Sequence, residues 1–449
     1  MGITIVQKSD LSRPKDNPKI AIVLAGGAVT GGAYKVGGLH ALDSCLENRK
    51  VTDFDSFVGL SAGSIIASLL ANGIRPAEML DSIEGGSDQL DFIKFLDFYN
   101  PNLEEFIKGP FHFLWDFLNY VPDFLLGSIL SNSLLKEDFR KSVFKLVRHP
   151  SYENCKRLLS RYGRVLGLTR QFPSPLSYLP RGIFKNDRIE SALRRAFEGN
   201  RLPNDFTSLY RLTGKELYIV AGNLDTAERV VFGYDQNNNL TISQAVQAST
   251  ALPGFYRPAR IQGVDYVDGG VRKTANIDVA VESGADLIIC YNPFRPFNNK
   301  VISRYSQEKK KHVVEGEHIA DQGVFSVLNQ VFRILLHTRL DYGIDLYRRD
   351  PRFRGDIILI EPTEYDYKFF DMNPLALRER QRAARRGYDS VFESIERKYH
   401  PLRRILDAYG IVLKRPSEDT AFEANGTVDQ RKILPFPLGR NRDYLQAAS

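Results

Sequence analysis

An α/β fold built on a mostly parallel sheet is the architecture that this chain predicts. Residues 19–24, Lys-Ile-Ala-Ile-Val-Leu, form a short unbroken apolar run, the pattern of a strand buried on both faces. A glycine-rich loop at 26–32 follows, then a helix-compatible segment at 33–48. A second strand-like run, 54–58, leads into Gly59-Leu60-Ser61-Ala62-Gly63 and the apolar segment 65–70. Strand, glycine loop, helix, strand, sharp turn and helix is the alternation of crossover helices on a parallel sheet.

Later elements extend the pattern. Residues from about 85 to 180 are rich in aromatics, among them Phe92, Phe95, Phe98, Phe106, Phe111, Phe113, Trp115, Phe117 and Phe124. They read as a helical insertion whose aromatics cover the core or form an apolar surface for lipid. Strands are expected at 216–221, 230–232, 264–267, 286–290 and 356–360, with a helical segment at about 317–349. Asn373-Pro374 reads as a helix cap and first helical position. Beyond it, Tyr388, Val391, Phe392, Ile395 and Tyr399 fall on one helical face, and Arg378, Arg380, Arg382, Arg385 and Arg386 lie opposite. The chain thus divides into a domain at 18–365 carrying the insertion, a helical extension at 366–415, and a polar tail at 416–449 expected to be partly disordered.

Composition narrows the class. The chain has 449 residues, 43% hydrophobic and 26% charged, ordinary for a folded soluble protein with a large core. Cys45, Cys155 and Cys290 are far apart and lack metal-ligand spacing, which argues against a disulfide framework and fits a reducing, cytoplasmic compartment. Residues 1–18 are polar and lack the apolar core of a secretory signal. No apolar run is long enough for a transmembrane helix. A net charge of +7 favours anionic surfaces, but no nucleic-acid module accompanies it, and Lys309-Lys310-Lys311-His312 reads as a solvated loop.

Ser61 is the candidate nucleophile. A serine on a strand-to-helix turn is held clear of the sheet at a helix N-terminus, and Gly59 and Gly63 leave the turn free of Cβ atoms. Such a serine needs a base and an oxyanion site. The loop Gly26-Gly27-Ala28-Val29-Thr30-Gly31-Gly32 opens a helix, so its amides are unpaired and can face developing negative charge. Nucleotide binding is the rival reading, yet neither G-x-G-x-x-G nor G-x-x-x-x-G-K-[ST] fits any register here. For the base, none of the seven histidines, His40, His112, His149, His312, His318, His337 and His400, sits in a distinctive turn. Asp268-Gly269-Gly270 follows the strand-like run 264–267, so its carboxylate stands at a strand end and can reach a neighbouring one. A carboxylate needs burial to become a useful base near neutral pH.

The ordered set of glycine loop, Gly-Leu-Ser-Ala-Gly and Asp-Gly-Gly resembles the patatin-like phospholipase family, which includes the catalytic domain of cytosolic phospholipase A2. The run Ala248-Ser249-Thr250-Ala251-Leu252-Pro253-Gly254-Phe255 and the closing Ile357-Ile358-Leu359-Ile360-Glu361-Pro362 resemble it too. The resemblance covers about residues 18–365. It implies a three-layer α/β/α fold and a lipid acyl hydrolase of phospholipase A type acting through a Ser61–Asp268 dyad. The backbone amides of Gly26, Gly27 and Ala28 would form the oxyanion hole. It implies no metal and no cofactor, and a phospholipid or other acyl-lipid substrate; the aromatic insertion and the basic helix face suit a peripheral enzyme at an anionic membrane. The family loop reads Gly-Gly-Gly-x-Arg/Lys-Gly, whereas this chain has Ala28 at the third glycine and Thr30 at the basic position. What anchors the loop is therefore open. Lys35 is near in sequence, with no place that the sequence assigns. Two alternatives also stay open: an esterase with a Ser-Asp-His triad, and a lipid-binding protein without turnover.

Overall fold

The fold is described from a computed structural model over residues 2–85, 98–130, 137–149, 151–165, 174–306 and 311–416, with side chains described except at 121–130, 160–165, 302–306 and 311–315. Phe92, Phe95, Lys309, Lys310 and the tail from 417 lie outside the described residues, as does the Phe124 side chain.

Nine strands build the central sheet: β1 (Ile3–Val6), β2 (Ile20–Leu24), β3 (Ser56–Leu60), β4 (Glu216–Asn223), β5 (Arg229–Phe232), β6 (Ala259–Ile261), β7 (Val264–Asp268), β8 (Leu287–Tyr291) and β9 (Asp356–Ile360). Their spatial order is β1-β9-β8-β2-β3-β4-β7-β6, with β5 paired to β4. The middle run β9-β8-β2-β3-β4 is parallel. Antiparallel strands close both sides, β1 on β9 and β5, β7 and β6 beyond β4.

The helices that place the site are α1 (Ala28–Cys45), α2 (Ala62–Ala71), α3 (Leu103–Leu130), α4 (Ile242–Ser249), α5 (Ile277–Glu282), α6 (Val324–Arg349), α7 (Arg380–Arg397) and α8 (Tyr399–Ala408). Strand periodicity sorts them into layers, because alternate residues point to opposite faces. Ile20, Ile22 and Leu24 of β2 join Phe57, Ile289 and Ile358 in one core with α1, α2, α4, α7 and α8. Ala21 and Val23 join Val58, Ile288 and Ile357 in a second core against α5 and α6. The result is three layers, helices on both faces of the sheet.

Helices α1 and α7 pack side by side in the core on one face of the sheet and meet backbone to backbone. A Cβ on Gly37 would stand 1.8 Å from the Ala384 carbonyl oxygen, and one on Gly387 1.9 Å from that of Tyr34. The helices from 380 onward therefore share the main core, with Tyr388, Val391, Ile395, Leu402 and Leu406 buried in it.

Three local differences from sequence expectation have physical causes. The polar N-terminal segment contains strand β1, which pairs Ile3 with Ile360 and is secured by the Asp356 carboxylate accepting from the Lys8 and Ser9 amides at 2.7 and 3.0 Å. Asn373-Pro374 makes a turn instead of starting a helix: Asn373 Oδ1 accepts from the Leu375 amide at 3.0 Å, and α7 begins only at Arg380. Lys311 and His312 belong to strand Lys311–Glu315, which pairs with Ile302–Ser306, so they do not form a loop.

In the insertion, α3 and the helices Glu137–Arg148 and Tyr152–Val165 have a small core of their own around Tyr120, Phe139, Leu158 and Leu159. One face of α3 stays open: Ile107, Phe111 and Trp115 are 71%, 66% and 59% exposed, so this face does not cover the main core, whereas Phe98 packs against it. Among the described residues no helix is long and apolar enough to cross a membrane.

Candidate active site

Strand β3 ends at Leu60 and α2 starts at Ala62, so Ser61 alone makes the turn, with φ 53° and ψ −130°. A left-handed φ is unfavourable for a side-chain-bearing residue and persists only where its surroundings enforce it. Here they do. A Cβ on Gly59 would lie 2.5 Å from Ser64 Cα, and one on Gly63 2.2 Å from the Leu24 carbonyl oxygen, so both elbow positions demand glycine. The Ser61 amide donates to Ser249 Oγ at 2.8 Å, while the Ser61 carbonyl accepts from Ser64 Oγ at 2.6 Å.

Register brings Asp268 to the same level. Leu60 pairs with Val220 across β3 and β4, and the next residue, Ala221, pairs with Asp268 across β4 and β7. Asp268 is buried at 4% exposure, and its Oδ1 accepts from the Gly270 amide at 2.8 Å. Burial pushes the carboxyl up to about 6, opposed by hydrogen bonding with the Ser61 hydroxyl and the Gly270 amide and by the Lys35 charge.

The glycine loop lies against this pair: a Cβ on Gly26 would be 3.3 Å from Ser61 Cβ. Gly27 (φ 154°) and Ala28 (φ 51°) turn the chain into α1. The amides of Gly26, Gly27 and Ala28 donate to no protein acceptor among the described residues. The next two are occupied, since Val29 and Thr30 both donate to the Pro374 carbonyl at 3.0 Å. Behind the loop stands Pro293, whose carbonyl accepts from the buried Arg333 guanidinium at 3.1 Å.

Two residues of this site escaped sequence reasoning. Ser249 lay in a run noted for resemblance without a role. Lys35 was visible only as a nearby lysine. It is fully buried, and its ammonium donates to the carbonyls of Ala25 and, at 3.0 Å, Gly26. Thr30 is itself buried at 3% exposure and supplies no charge.

A cavity of about 160 Å³ opens beside Ser61 and Ala28, walled by apolar side chains such as Val36, Ile65, Leu69 and Met79, with Arg380 also on its lining. Among the described residues no histidine hydrogen-bonds to Ser61 or Asp268. His337 is held instead by Glu361 at 3.1 Å and Asp341 at 3.2 Å. Among them, too, no group of His, Cys, Asp and Glu is placed to hold a metal ion.

The family model for Patatin-like phospholipase matches residues 22–281. The chain is 22% identical over 261 residues to the probable lipid hydrolase 463L of Invertebrate iridescent virus 6, covering 58% of this chain and 63% of that protein. It is 26% identical over 148 residues to the uncharacterized protein YjjU of Escherichia coli, covering 32% of this chain and 38% of that one. The chain thus spans less than two thirds of either relative. Among solved structures, VipD from Legionella pneumophila aligns over 87% of this chain and 69% of its own, at 16% identity and a TM-score of 0.33. Human GIVD cytosolic phospholipase A2 aligns over 89% and 61%, at 10% identity and a TM-score of 0.38.

Proposed function

The chain belongs to the patatin-like phospholipase family, and from that premise we propose that it is a lipid acyl-ester hydrolase of phospholipase A type using a Ser61–Asp268 dyad. The observation that carries this reading is the meeting of Ser61, on its strained turn, with a buried carboxyl pushed up to about 6. A base with a pKa near the working pH serves proton transfer in both directions.

Ser61 Oγ attacks the ester carbonyl carbon while Asp268 accepts the hydroxyl proton. The carbonyl oxygen becomes an oxyanion facing the amides of Gly26, Gly27 and Ala28. Collapse of the tetrahedral intermediate breaks the bond to the alcohol, which leaves with the proton from Asp268. Water then attacks the acyl-Ser61 ester, Asp268 takes its proton, and the fatty acid departs as Ser61 is reprotonated. The apolar cavity beside Ser61 suits the acyl chain, and Arg380 on its lining suits an anionic part of the lipid. Contact with a membrane surface is supported by exposed apolar faces on α3 and on the first half of α6, where Val324, Phe325, Leu328 and Phe332 are exposed. The buried free thiols of Cys45 and Cys290 fit a reducing compartment.

The test is hydrolysis of a panel of defined lipids and a soluble acyl ester by wild type, Ser61→Ala and Asp268→Asn, with a fluorophosphonate probe as a second readout. Both variants should fold and lose turnover, and the probe should label wild type at Ser61 only. Full activity in Ser61→Ala overturns the proposal.

A further inference from the structure

We propose that Lys35 is a positioning residue for the oxyanion hole, a buried cation that aims the Gly26 and Gly27 amides at the reacting oxygen from behind. The inference rests on the hydrolase reading above and assigns a role to a group which that mechanism does not use.

Covalent geometry couples the two sides of the loop. The carbonyl of Ala25 and the amide of Gly26 belong to one peptide plane, and so do the carbonyl of Gly26 and the amide of Gly27. A trans peptide is rigid, with its C=O and N–H pointing in opposite directions. Lys35 Nζ donates to both of those carbonyl oxygens. Pinning two carbonyls on one side therefore fixes two amides on the other. The loop borders Ser61 closely, since a Cβ on Gly26 would come within 3.3 Å of Ser61 Cβ. A positive charge on the carbonyl side also polarises each peptide, making its N–H a stronger donor.

The setting of Lys35 supports a functional role over a packing one. Its side chain is fully buried, and its hydrogen bonds go to carbonyls, with no carboxylate among the described residues in salt-bridge contact. Burying an ammonium on such terms is unfavourable, and a methionine would fill the same space without that cost. Burial depresses its pKa to about 7. The titratable groups that face it are Asp268 and Cys290, and burial keeps the Cys290 thiol neutral. Asp268 in turn faces Ser61 and Lys35, and the lysine charge favours the ionised carboxylate.

The experiment compares wild type, Lys35→Met and Lys35→Gln in full-length protein, using a soluble acyl ester across pH 5–9 and a thermal melt for each. In Lys35→Met, kcat should fall about 10- to 100-fold with KM within about twofold, as expected when oxyanion donors are misaligned. The acid limb of kcat/KM should move to higher pH, because Asp268 has lost its neighbouring cation. Lys35→Gln keeps a donor without the charge. It should recover part of kcat and retain the shifted limb, a split that a purely structural role would not produce. An unchanged kcat in either folded variant, or a lower kcat with an unmoved pH profile, overturns the inference. If Lys35→Met does not fold, Lys35→Gln alone decides by the same criteria. Wild type without Ser61-dependent turnover sinks the hydrolase reading and this inference together; wild type with it, matched by the Lys35 variants, sinks this inference alone.

Discussion

The Ser61 amide donates to the Ser249 hydroxyl at 2.8 Å, and that hydroxyl donates onward to the Val220 carbonyl at 2.6 Å. Ser249 thus ties the turn to β4, the strand lying between Ser61 and Asp268. One side chain from the end of α4 holds the elbow in register with the strand that separates the proposed dyad.

Ser249→Ala removes this bridge and leaves the buried Ser61 amide without its acceptor. The expected loss is about 1–3 kcal/mol of stability, the usual cost of stranding a buried polar group. Denaturant unfolding measures it. Turnover should fall as well, since the strained turn loses one of its restraints, and unaltered stability would contradict the assignment.

Gly27→Ala tests the proposed oxyanion role of the glycine loop. The residue has φ 154°, and its Cβ would lie 2.8 Å from Pro293 Cγ. The loop must shift, so kcat on a soluble ester should drop about 10²–10³-fold, the scale of a lost oxyanion donor. The melting temperature should fall as well, by the equivalent of about 1–3 kcal/mol, because alanine at this positive φ is strained and its Cβ would also meet the Gly31 backbone at 3.0 Å.

The pH dependence follows from Asp268, which burial pushes up to about 6. As a general base it must be ionised, so kcat/KM should rise through pH 6. Stability runs the other way. A carboxyl with a raised pKa binds its proton more tightly in the folded state, so stability declines as pH climbs from the unfolded value of 3.8 to about 6. Relative to Asp268→Asn, wild type should lose up to about 3 kcal/mol across that window, at about 1.4 kcal/mol per unit. Parallel stability curves for the two proteins would refute this.

Gly387→Ala probes the crossing of α1 and α7. Its Cβ would meet the Tyr34 carbonyl at 1.9 Å, so the helices must separate, at a cost of about 1–3 kcal/mol. Chemical denaturation should show a lower midpoint, and activity should fall too, because α1 carries the glycine loop beside Ser61 at its start.

For the proposed membrane contact, the double variant Phe325→Ser/Phe332→Ser should sediment less with anionic vesicles. Its kcat/KM on a soluble ester should match wild type. These side chains are 83% and 58% exposed, so stability should hold. Equal vesicle binding by both proteins would move the contact elsewhere.

Much of this molecule is legible in its sequence, for local reasons. Short apolar runs mark β2, β3, β8 and β9 because a strand buried on both faces cannot hide polar side chains. The turn at Ser61 is legible because Gly59 and Gly63 are required within four residues of chain. Tertiary structure decides what depends on register and on helices crossing. Asp268 reaches Ser61 because the pairings of β3, β4 and β7 bring their ends level. Pro374 caps the Val29 and Thr30 amides because α7 packs on α1. Lys35 meets the backs of the Gly26 and Gly27 peptides because α1 turns it inward beneath its own approach loop. No spacing in one dimension encodes those contacts. The sequence by itself determines the layered fold and the sharp turn at Ser61, and only packing determines which charges and donors surround that turn.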